Sequence, residues 1–293
     1  MYFEKRWFQY TILMFLALIW GSSFILMKIG LEAFTSEQVA ALRIVLASLV
    51  LLPFALKSLK EFRKKDLKSL LIVSIIGSLI PAFFFTKAET RIDSALAGML
   101  NSLTPVFTLI IGILFYEIHF TRKQILGLLI GLAGAYILLN NGQSFALNNI
   151  NNYALFVVAA TVCYSLSVNE VKANLVHLNG IQLTSLSFLI AGPIALIYLL
   201  TTDLNLVFTN PDWVAAFAAI AALAIMGTAF AMLFMNNLIR YVSAVFASTV
   251  TYFIPVFAIF WGVVAGEVIT GFHIAGMTII LIGIALVNIK TKK

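Results

Sequence analysis

Two stretches of the sequence match each other in register, and they decide the fold. Residues 104–117 read TPVFTLIIGILFYE, and residues 254–267 read IPVFAIFWGVVAGE. A Pro-Val-Phe triplet, a glycine and a closing glutamate recur in both, so that Pro105 corresponds to Pro255 and Glu117 to Glu267. A pattern that recurs in register over this length indicates an internal duplication.

Weaker matches continue on both sides of this pair. In the following segment, two glycines recur: Gly127 and Gly134 correspond to Gly276 and Gly283. Near the start of each unit, three residues recur: Gln38, Leu42 and Ala47 correspond to Gln182, Leu186 and Ala191. The sequence therefore predicts two homologous units, residues 1–145 and residues 146–293.

The composition is that of a membrane protein. Hydrophobic residues make up 62% of the 293 positions and charged residues 11%, whereas soluble domains are about 45–50% apolar and about 25% charged. The net charge of +7 comes from basic residues in short loops, not from a basic polar face, so nucleic acid is not an expected partner. The expected partners are a lipid bilayer and a small molecule, with no cofactor and no metal.

The apolar segments predict ten transmembrane helices. A bilayer core needs about 20 helical residues. The first segment is too long for the core of a secretory signal and is expected to be a retained span. The predicted spans are 8–29, 37–56, 67–86, 94–115, 122–140, 153–170, 181–201, 213–236, 243–264 and 272–289.

The distribution of basic residues predicts the orientation. Segments on the side of the termini carry fifteen lysines and arginines, and the opposite side carries three, Lys28, Lys87 and Arg91. By the positive-inside rule, both termini should be cytoplasmic, in a multi-pass protein of the cytoplasmic (inner) membrane. With five spans in each unit, the second unit enters the membrane from the opposite side, which is an inverted repeat.

Several motifs resemble those of a known family. They are Trp20-Gly21-Ser22-Ser23 with Lys28, Ala41-Leu42-Arg43, Leu103 to Phe107 ending in Glu117, Gly127 to Gly134, and Ile254-Pro255-Val256 to Gly266-Glu267. In these motifs the sequence resembles the EamA-type branch of the drug/metabolite transporter superfamily. The resemblance implies an all-α integral membrane fold, in which ten helices form two inverted five-helix repeats around a central cavity.

The resemblance also bears on function, since many of these proteins export amino acids or related metabolites. The second unit departs from the pattern where Cys163-Tyr164-Ser165 stands opposite Trp20-Gly21-Ser22. The two walls of the expected cavity are therefore chemically different.

Two interior prolines indicate where that cavity lies. Pro105 and Pro255 would kink their helices and free the carbonyl groups of Asn101 and Thr251. Polar side chains surround both positions, and aromatic residues on other spans could complete the walls. The predicted substrate-cavity residues are Trp20, Ser22, Arg43, Phe84, Asn101, Thr104, Tyr164, Thr251 and Tyr252. The alternative is kinks for packing, with the hydroxyl groups bonded to their own helix.

Charged residues in or near the spans are predicted to act in gating and along the outer path. Glu117 and Glu267 are placed at the cytoplasmic ends of the fourth and ninth helices, and Lys28 lies toward the outer leaflet. Arg43 lies about 12 Å into its helix, where its planar guanidinium could bind a carboxylate in bidentate fashion. That carboxylate belongs to Glu32, to Glu37 or to a substrate; snorkelling of Arg43 to the interface is the alternative.

The sequence predicts a secondary transporter that exports amino acids or related carboxylate-bearing compounds by alternating access. A multidrug efflux carrier and an importer or exchanger of the same fold remain alternatives. The sequence contains no catalytic constellation, which argues against an enzyme. It also contains no continuous polar or charged lining, which argues against a channel. Since no acidic residue lies mid-span, we expect facilitated efflux or coupling through the substrate, with lipophilic cations as poor substrates. A monomer is favoured, and a dimer through glycine-rich faces stays open.

Overall fold

The computed structural model describes residues 4–117, 121–140, 151–205 and 207–288, and these residues contain helices and no β-strand. Within them, eight helical segments are long and apolar enough to cross a membrane. They are α1 (Arg6–Gly30), α2 (Ser36–Glu61), α3 (Lys64–Glu89), α4 (Ser94–Phe115), α6 (Asn152–Asn174), α7 (Gly180–Leu200), α8 (Trp213–Tyr241) and α9 (Ala244–Val264). Two further helices are α5 (Arg122–Asn140) and α10 (Gly271–Asn288).

Irregular helical segments occur at corresponding places in the two halves of the sequence. The middle of α3 is a π-helix at Ile72–Leu79, and the middle of α8 is a π-helix at Leu223–Phe230. Single π turns inside α-helices are rare and are found mostly at functional sites. Both segments border the central cavity described below.

Pro105 and Pro255 each begin a new helix, which differs from the predicted kinks. The first part of α4 ends at Asn101 and helix resumes at Thr104–Phe115, with Pro105 in its first turn. In α9 a 3₁₀ turn at Thr249–Tyr252 precedes the helix Ile254–Val264, with Pro255 in its first turn. A proline fits the first helical turn because its missing N–H group would have no partner there.

Glycines allow close packing of α5 against α10. A Cβ atom on Gly283 would lie 2.5 Å from the carbonyl oxygen of Gly127, and one on Gly134 would lie 2.7 Å from that of Gly276. Small residues permit such backbone contact between apolar helices. These two helices pack beside the helices that line the central cavity, and none of the described residues of α5 and α10 belongs to that lining.

The two ends of the molecule carry different charged groups. The Lys28 end holds Lys28, Glu89, Asp93 and Glu267, at the finish of α1 and the start of α4. The Glu117 end lies at the other terminus of α4, about 33 Å away for a helix of 22 residues.

The prediction that placed Glu267 at the same end as Glu117 was wrong. Glu267 binds the first turn of α4, whereas Glu117 follows the last turn of that helix. Equivalent glutamates in the two sequence repeats therefore lie at opposite ends.

Candidate substrate cavity

A cavity with about 990 Å³ of empty space, open solvent included, lies among α1, α2, α3, α4, α6, α7, α8 and α9. Its lining extends from Met27 and Phe85, near the Lys28 end, to Val171 and Ile239, near the ends of α6 and α8. Both halves of the sequence contribute polar and apolar side chains to the wall.

Arg43 is the single charged side chain in the cavity lining, within the described ranges. It is 8% exposed, its Nε donates a hydrogen bond to Thr228 Oγ1 over 2.7 Å, and one terminal nitrogen lies 3.8 Å from Met27 Sδ. Residues 4–117, 121–140, 151–205 and 207–288 place no carboxylate within 4.0 Å of it. Glu37, one of its expected partners, forms an ion pair with Lys87 at 3.1 Å instead. The guanidinium thus points into the cavity with donors to spare.

The π-helix of α8 is held by side chains from the first half of the sequence. Trp20 Nε1 donates to the carbonyl oxygen of Gly227 over 2.8 Å, next to the bond between Arg43 and Thr228. Thr228 in turn donates to the carbonyl oxygen of Leu223 over 3.1 Å. Because Trp20 and Arg43 bind successive residues, the cavity wall is tied together across the two halves.

The breaks before the two prolines bring short polar side chains to the cavity. Asn101, Thr104 and Thr251 all contribute to its lining. Thr104 Oγ1 donates to the carbonyl oxygen of Asn101 over 2.8 Å, and Thr251 Oγ1 donates to that of Ser248 over 2.9 Å. These hydroxyls satisfy carbonyls that the interrupted helices leave open.

Tyr164 forms an aromatic part of the wall. Its ring stacks on Phe85 with centroids 5.8 Å apart and an interplanar angle of 26°. It also interacts electrostatically with Arg43. Six predicted cavity residues are therefore brought together, namely Trp20, Arg43, Asn101, Thr104, Tyr164 and Thr251.

Three other predicted residues lie outside the cavity lining, and each stands next to a residue that is part of it. Ser22 Oγ accepts a hydrogen bond from Trp261 Nε1 over 2.8 Å, Phe84 packs against Phe156, and Tyr252 is absent from the lining. Successive residues point about 100° apart around a helix. For this reason Ser23, Phe85 and Thr251 reach the cavity instead.

Sequence reasoning missed the residues that the π-helices present. Thr228 and Gly227 of α8, and Gly77 and Ser78 of α3, all line the cavity. A Cβ atom on Gly227 would lie 2.6 Å from Ser23 Oγ, so a larger residue there would force the Ser23 side chain to shift. The one available signal was the small residues in the middle of long apolar runs.

At the Lys28 end, Glu267 joins the two halves. Its carboxylate accepts hydrogen bonds from Ser94 N over 2.8 Å, Ser94 Oγ over 2.7 Å and Ala95 N over 2.9 Å. Lys28 Nζ lies 3.2 Å from the same carboxylate and 3.5 Å from Asp93. A carboxylate at the N-terminus of a helix is favoured by its free N–H groups and its dipole.

The pKa of Glu267 reflects this contact. Burial raises the pKa, but the hydrogen bonds from Ala95 and Ser94 and the charge of Lys28 outweigh burial, so that the pKa lies below its ordinary value. At neutral pH Glu267 is therefore an ionised carboxylate that caps the N-terminus of α4.

At the Glu117 end, the described residues contain no corresponding contact between a glutamate and the first turn of α9. Glu117 is exposed and has a φ of 54°, and Ser243 Oγ caps the start of α9 by accepting from Phe246 N over 3.1 Å. Nearby Glu170 accepts from Ser69, Asn174 and Tyr116. Burial, together with the bond to Glu170, raises the pKa of Tyr116.

Comparison with known proteins agrees with this architecture. The EamA-like transporter family matches residues 7–140 and again residues 151–289. The chain belongs to the EamA-like transporter family. It is accordingly a multi-pass membrane transporter, and no catalytic family is indicated.

Relatives of this EamA-like transporter have names of the same kind. The chain is 28% identical to the "Uncharacterized inner membrane transporter YedA" of Escherichia coli K12 over 94% of its own length and 88% of that protein. It is 22% identical to a "Probable terminal-alkyne amino-acid exporter" of Streptantibioticus cattleyicolor, over 93% and 90%. A solved crystal structure shares the fold, with a TM-score of 0.69, 18% identity and 97% coverage of both chains.

Proposed function

We propose that this transporter moves carboxylate-bearing small molecules, amino acids foremost, through the central cavity by alternating access. The observation that carries the proposal is Arg43, a buried cation that faces the cavity without a carboxylate partner in the described ranges. A buried charge is costly unless it is paired. A substrate carboxylate would supply the missing partner, and the planar guanidinium binds such a group in bidentate fashion.

The rest of the cavity suits an amino acid. Asn101, Thr104 and Thr251 offer hydrogen-bonding groups, while Trp20 and Phe85 provide apolar surface. Since no acidic side chain belongs to the described lining, lipophilic cations would lack a counter-charge, and multidrug efflux is disfavoured. A relative named as a probable amino-acid exporter supports the substrate class and the outward direction.

The transport cycle rests on two inverted five-helix repeats, α1–α5 and α6–α10, which divide near residue 145. The family match on two successive segments supports this division, and so do the π-helices and proline breaks at corresponding positions. The placement of Glu267 and Glu117 at opposite ends supports inversion. Ten spans put both termini on one side, and the excess of basic residues there makes that side the cytoplasm, so the Lys28 end faces outward.

In this conformation the outer end is closed and the cavity opens inward. Glu267 and Lys28 act as the outer gate, because their contact joins α9 and α1 to the start of α4. Glu117 is the corresponding inner gate residue, and its exposure fits an open inner end. The glycine faces of α5 and α10 pack on each other within one chain, which favours a monomer.

Counterflow in proteoliposomes tests the substrate class. Vesicles loaded with an unlabelled amino acid should accumulate the labelled one, whereas the amine that lacks only the carboxyl group should give no counterflow. Arg43→Gln should abolish the signal, and Arg91→Gln, an exposed arginine outside the cavity, should retain it. Equal counterflow of the amine, or full activity of Arg43→Gln, would overturn the proposal.

A further inference from the structure

Glu89, the last residue of α3, is a buried carboxyl group with no hydrogen-bond partner among the described residues. The side chain is 3% exposed, and neither carboxylate oxygen has a donor in the described part of the molecule. An ionised carboxylate is a hydrogen-bond acceptor on both oxygens and needs donors when it is removed from water. Glu89 is not part of the cavity lining and has no role in the substrate site described above.

The cations near Glu89 are held by other groups. Lys28 lies 3.2 Å from Glu267 and 3.5 Å from Asp93, and Arg43 is hydrogen-bonded to Thr228. Glu89 interacts with the charges of Lys28, Glu267 and Arg43 at longer range. The charged and titratable groups on the surrounding elements are Lys28, Glu37 with its partner Lys87, Arg43, Asp93, Tyr164, Glu267 and His273.

Glu170 is a second buried glutamate, and it differs from Glu89 in having hydrogen-bond donors. It is also buried, at 6% exposed, but it accepts hydrogen bonds from Ser69 Oγ over 2.6 Å, from Asn174 Nδ2 over 2.7 Å and from the Tyr116 hydroxyl. Those donors stabilise a negative charge. Glu89 has none in the described ranges, and the more distant charges of Lys28 and Arg43 do not outweigh its burial, so the neutral carboxylic acid is favoured.

We infer that Glu89 is a proton-binding site, occupied when the Glu267 contact closes the Lys28 end and emptied when that end opens. On opening, water reaches Glu89, the O–H bond of its carboxyl group breaks, and the proton passes to a water molecule. Closure requires a proton to be taken up from water again. The ligand of this site is H⁺, and the gate is the contact of Glu267 with Ser94 and Lys28.

The sequence had led us to expect facilitated efflux, because no acidic residue lies mid-span. That premise overlooked a carboxyl group that lies near a helix end and is nevertheless buried. Because the closed state binds one more proton than the open state, the pH on this side shifts the balance between the two conformations. A proton gradient can thus bias the transport cycle.

Glu267 can stay ionised under conditions in which Glu89 is protonated. Since the pKa of Glu267 lies below its ordinary value, Glu267 stays ionised on α4 at the neutral pH at which Glu89 holds its proton. The closed end is therefore most stable in a window that requires a neutral Glu89 and a charged Glu267.

Infrared spectroscopy tests the proton directly. The detergent-purified protein at neutral pH, without substrate, should show the C=O stretch of a protonated carboxyl group. This band should be absent in Glu89→Gln and retained in Glu32→Gln, which removes an exposed glutamate from the same end. Absence of the band in the wild type, or its persistence in Glu89→Gln, would overturn the inference.

Distance measurements test the coupling to the gate. Spin labels at Thr90→Cys and Val268→Cys, both exposed positions beside the gate, are placed in a Cys163→Ser background. Raising the pH from neutral to alkaline should increase the long-distance population several-fold in the wild type and in Glu32→Gln. Glu89→Gln, which mimics the neutral acid, should stay short at every pH. A pH response in Glu89→Gln equal to that of the wild type would sink the coupling.

The inference rests on the proposed transport cycle only for its consequence, the biasing of transport by a proton gradient. Both measurements are made without substrate. They therefore stand if the carboxylate specificity fails, and they can fail while counterflow succeeds.

Discussion

At the scale of single residues, the proposed substrate class depends on Arg43. Replacing it by glutamine removes a charged hydrogen-bond donor, which is worth about 1.5–3 kcal/mol and corresponds to roughly 10- to 100-fold in affinity. Arg43→Lys keeps the charge but loses the planar fork, so its loss should be smaller. Substrate-induced thermal stabilisation measures both affinities. Unchanged affinity in Arg43→Gln would remove this residue from the site.

Thr228 orients Arg43, and its hydroxyl can be deleted with little change in shape. Thr228→Val leaves the Arg43 Nε donor unpaired in a buried position, which should destabilise the protein by about 1–3 kcal/mol. Thr228→Ser keeps the hydroxyl and should remain close to the wild type. Thermal unfolding in detergent compares the two variants, and equal melting temperatures would mean that the hydrogen bond contributes nothing.

Individual cavity residues could be predicted only in part. Trp20, Arg43 and Asn101 are conspicuous because they are polar or bulky in apolar helices, and all three line the cavity. Ser22 and Phe84 were each one position from the lining residue, because hydropathy locates a helix but not its rotation about its axis. The burial of Glu89 was missed, since it depends on which helices cover the end of α3.

At the scale of elements, the close contact of α5 and α10 depends on glycine. Gly134→Val would drive a side chain into the backbone of Gly276 and Ile280, whose nearest atoms both lie 2.7 Å from where a Cβ atom would stand, and should cost about 1–3 kcal/mol. Gly271→Ala has open space around it and serves as the control. Size-exclusion chromatography after heating reports the surviving fraction. Equal survival of the two variants would contradict this account of the packing.

Helix bounds were well predicted, because hydrophobic length and polar breaks are strong signals. The predicted 94–115 matches α4, and 181–201 lies one residue from α7 at both ends. The interior geometry was less predictable. Proline marked the breaks in α4 and α9, but no residue type announces the π-helices of α3 and α8, which depend on packing between helices.

At the scale of the whole molecule, we propose that the contact of Glu267 with Ser94, Ala95 and Lys28 keeps the Lys28 end closed. The pKa of Glu267 lies below its ordinary value in this state. The contact is therefore fully stable at pH values above the ordinary pKa of glutamate, and it weakens as the pH falls through the lowered pKa. Glu267→Gln should make the gate open more readily at neutral pH. The long-distance population of spin labels at Thr90→Cys and Val268→Cys, in the Cys163→Ser background, should then be several-fold larger than with Glu267 intact, whereas Glu32→Gln should leave it unchanged.

The central claim is that one cavity, lined by both halves, is reached alternately from each side of the membrane. Asn101→Cys in a Cys163→Ser background places a single thiol in that cavity. A membrane-impermeant maleimide should label it in right-side-out vesicles and in inside-out vesicles, and transported substrate should slow both reactions. Labelling from one side alone, or no protection by a substrate that gives counterflow, would contradict the account.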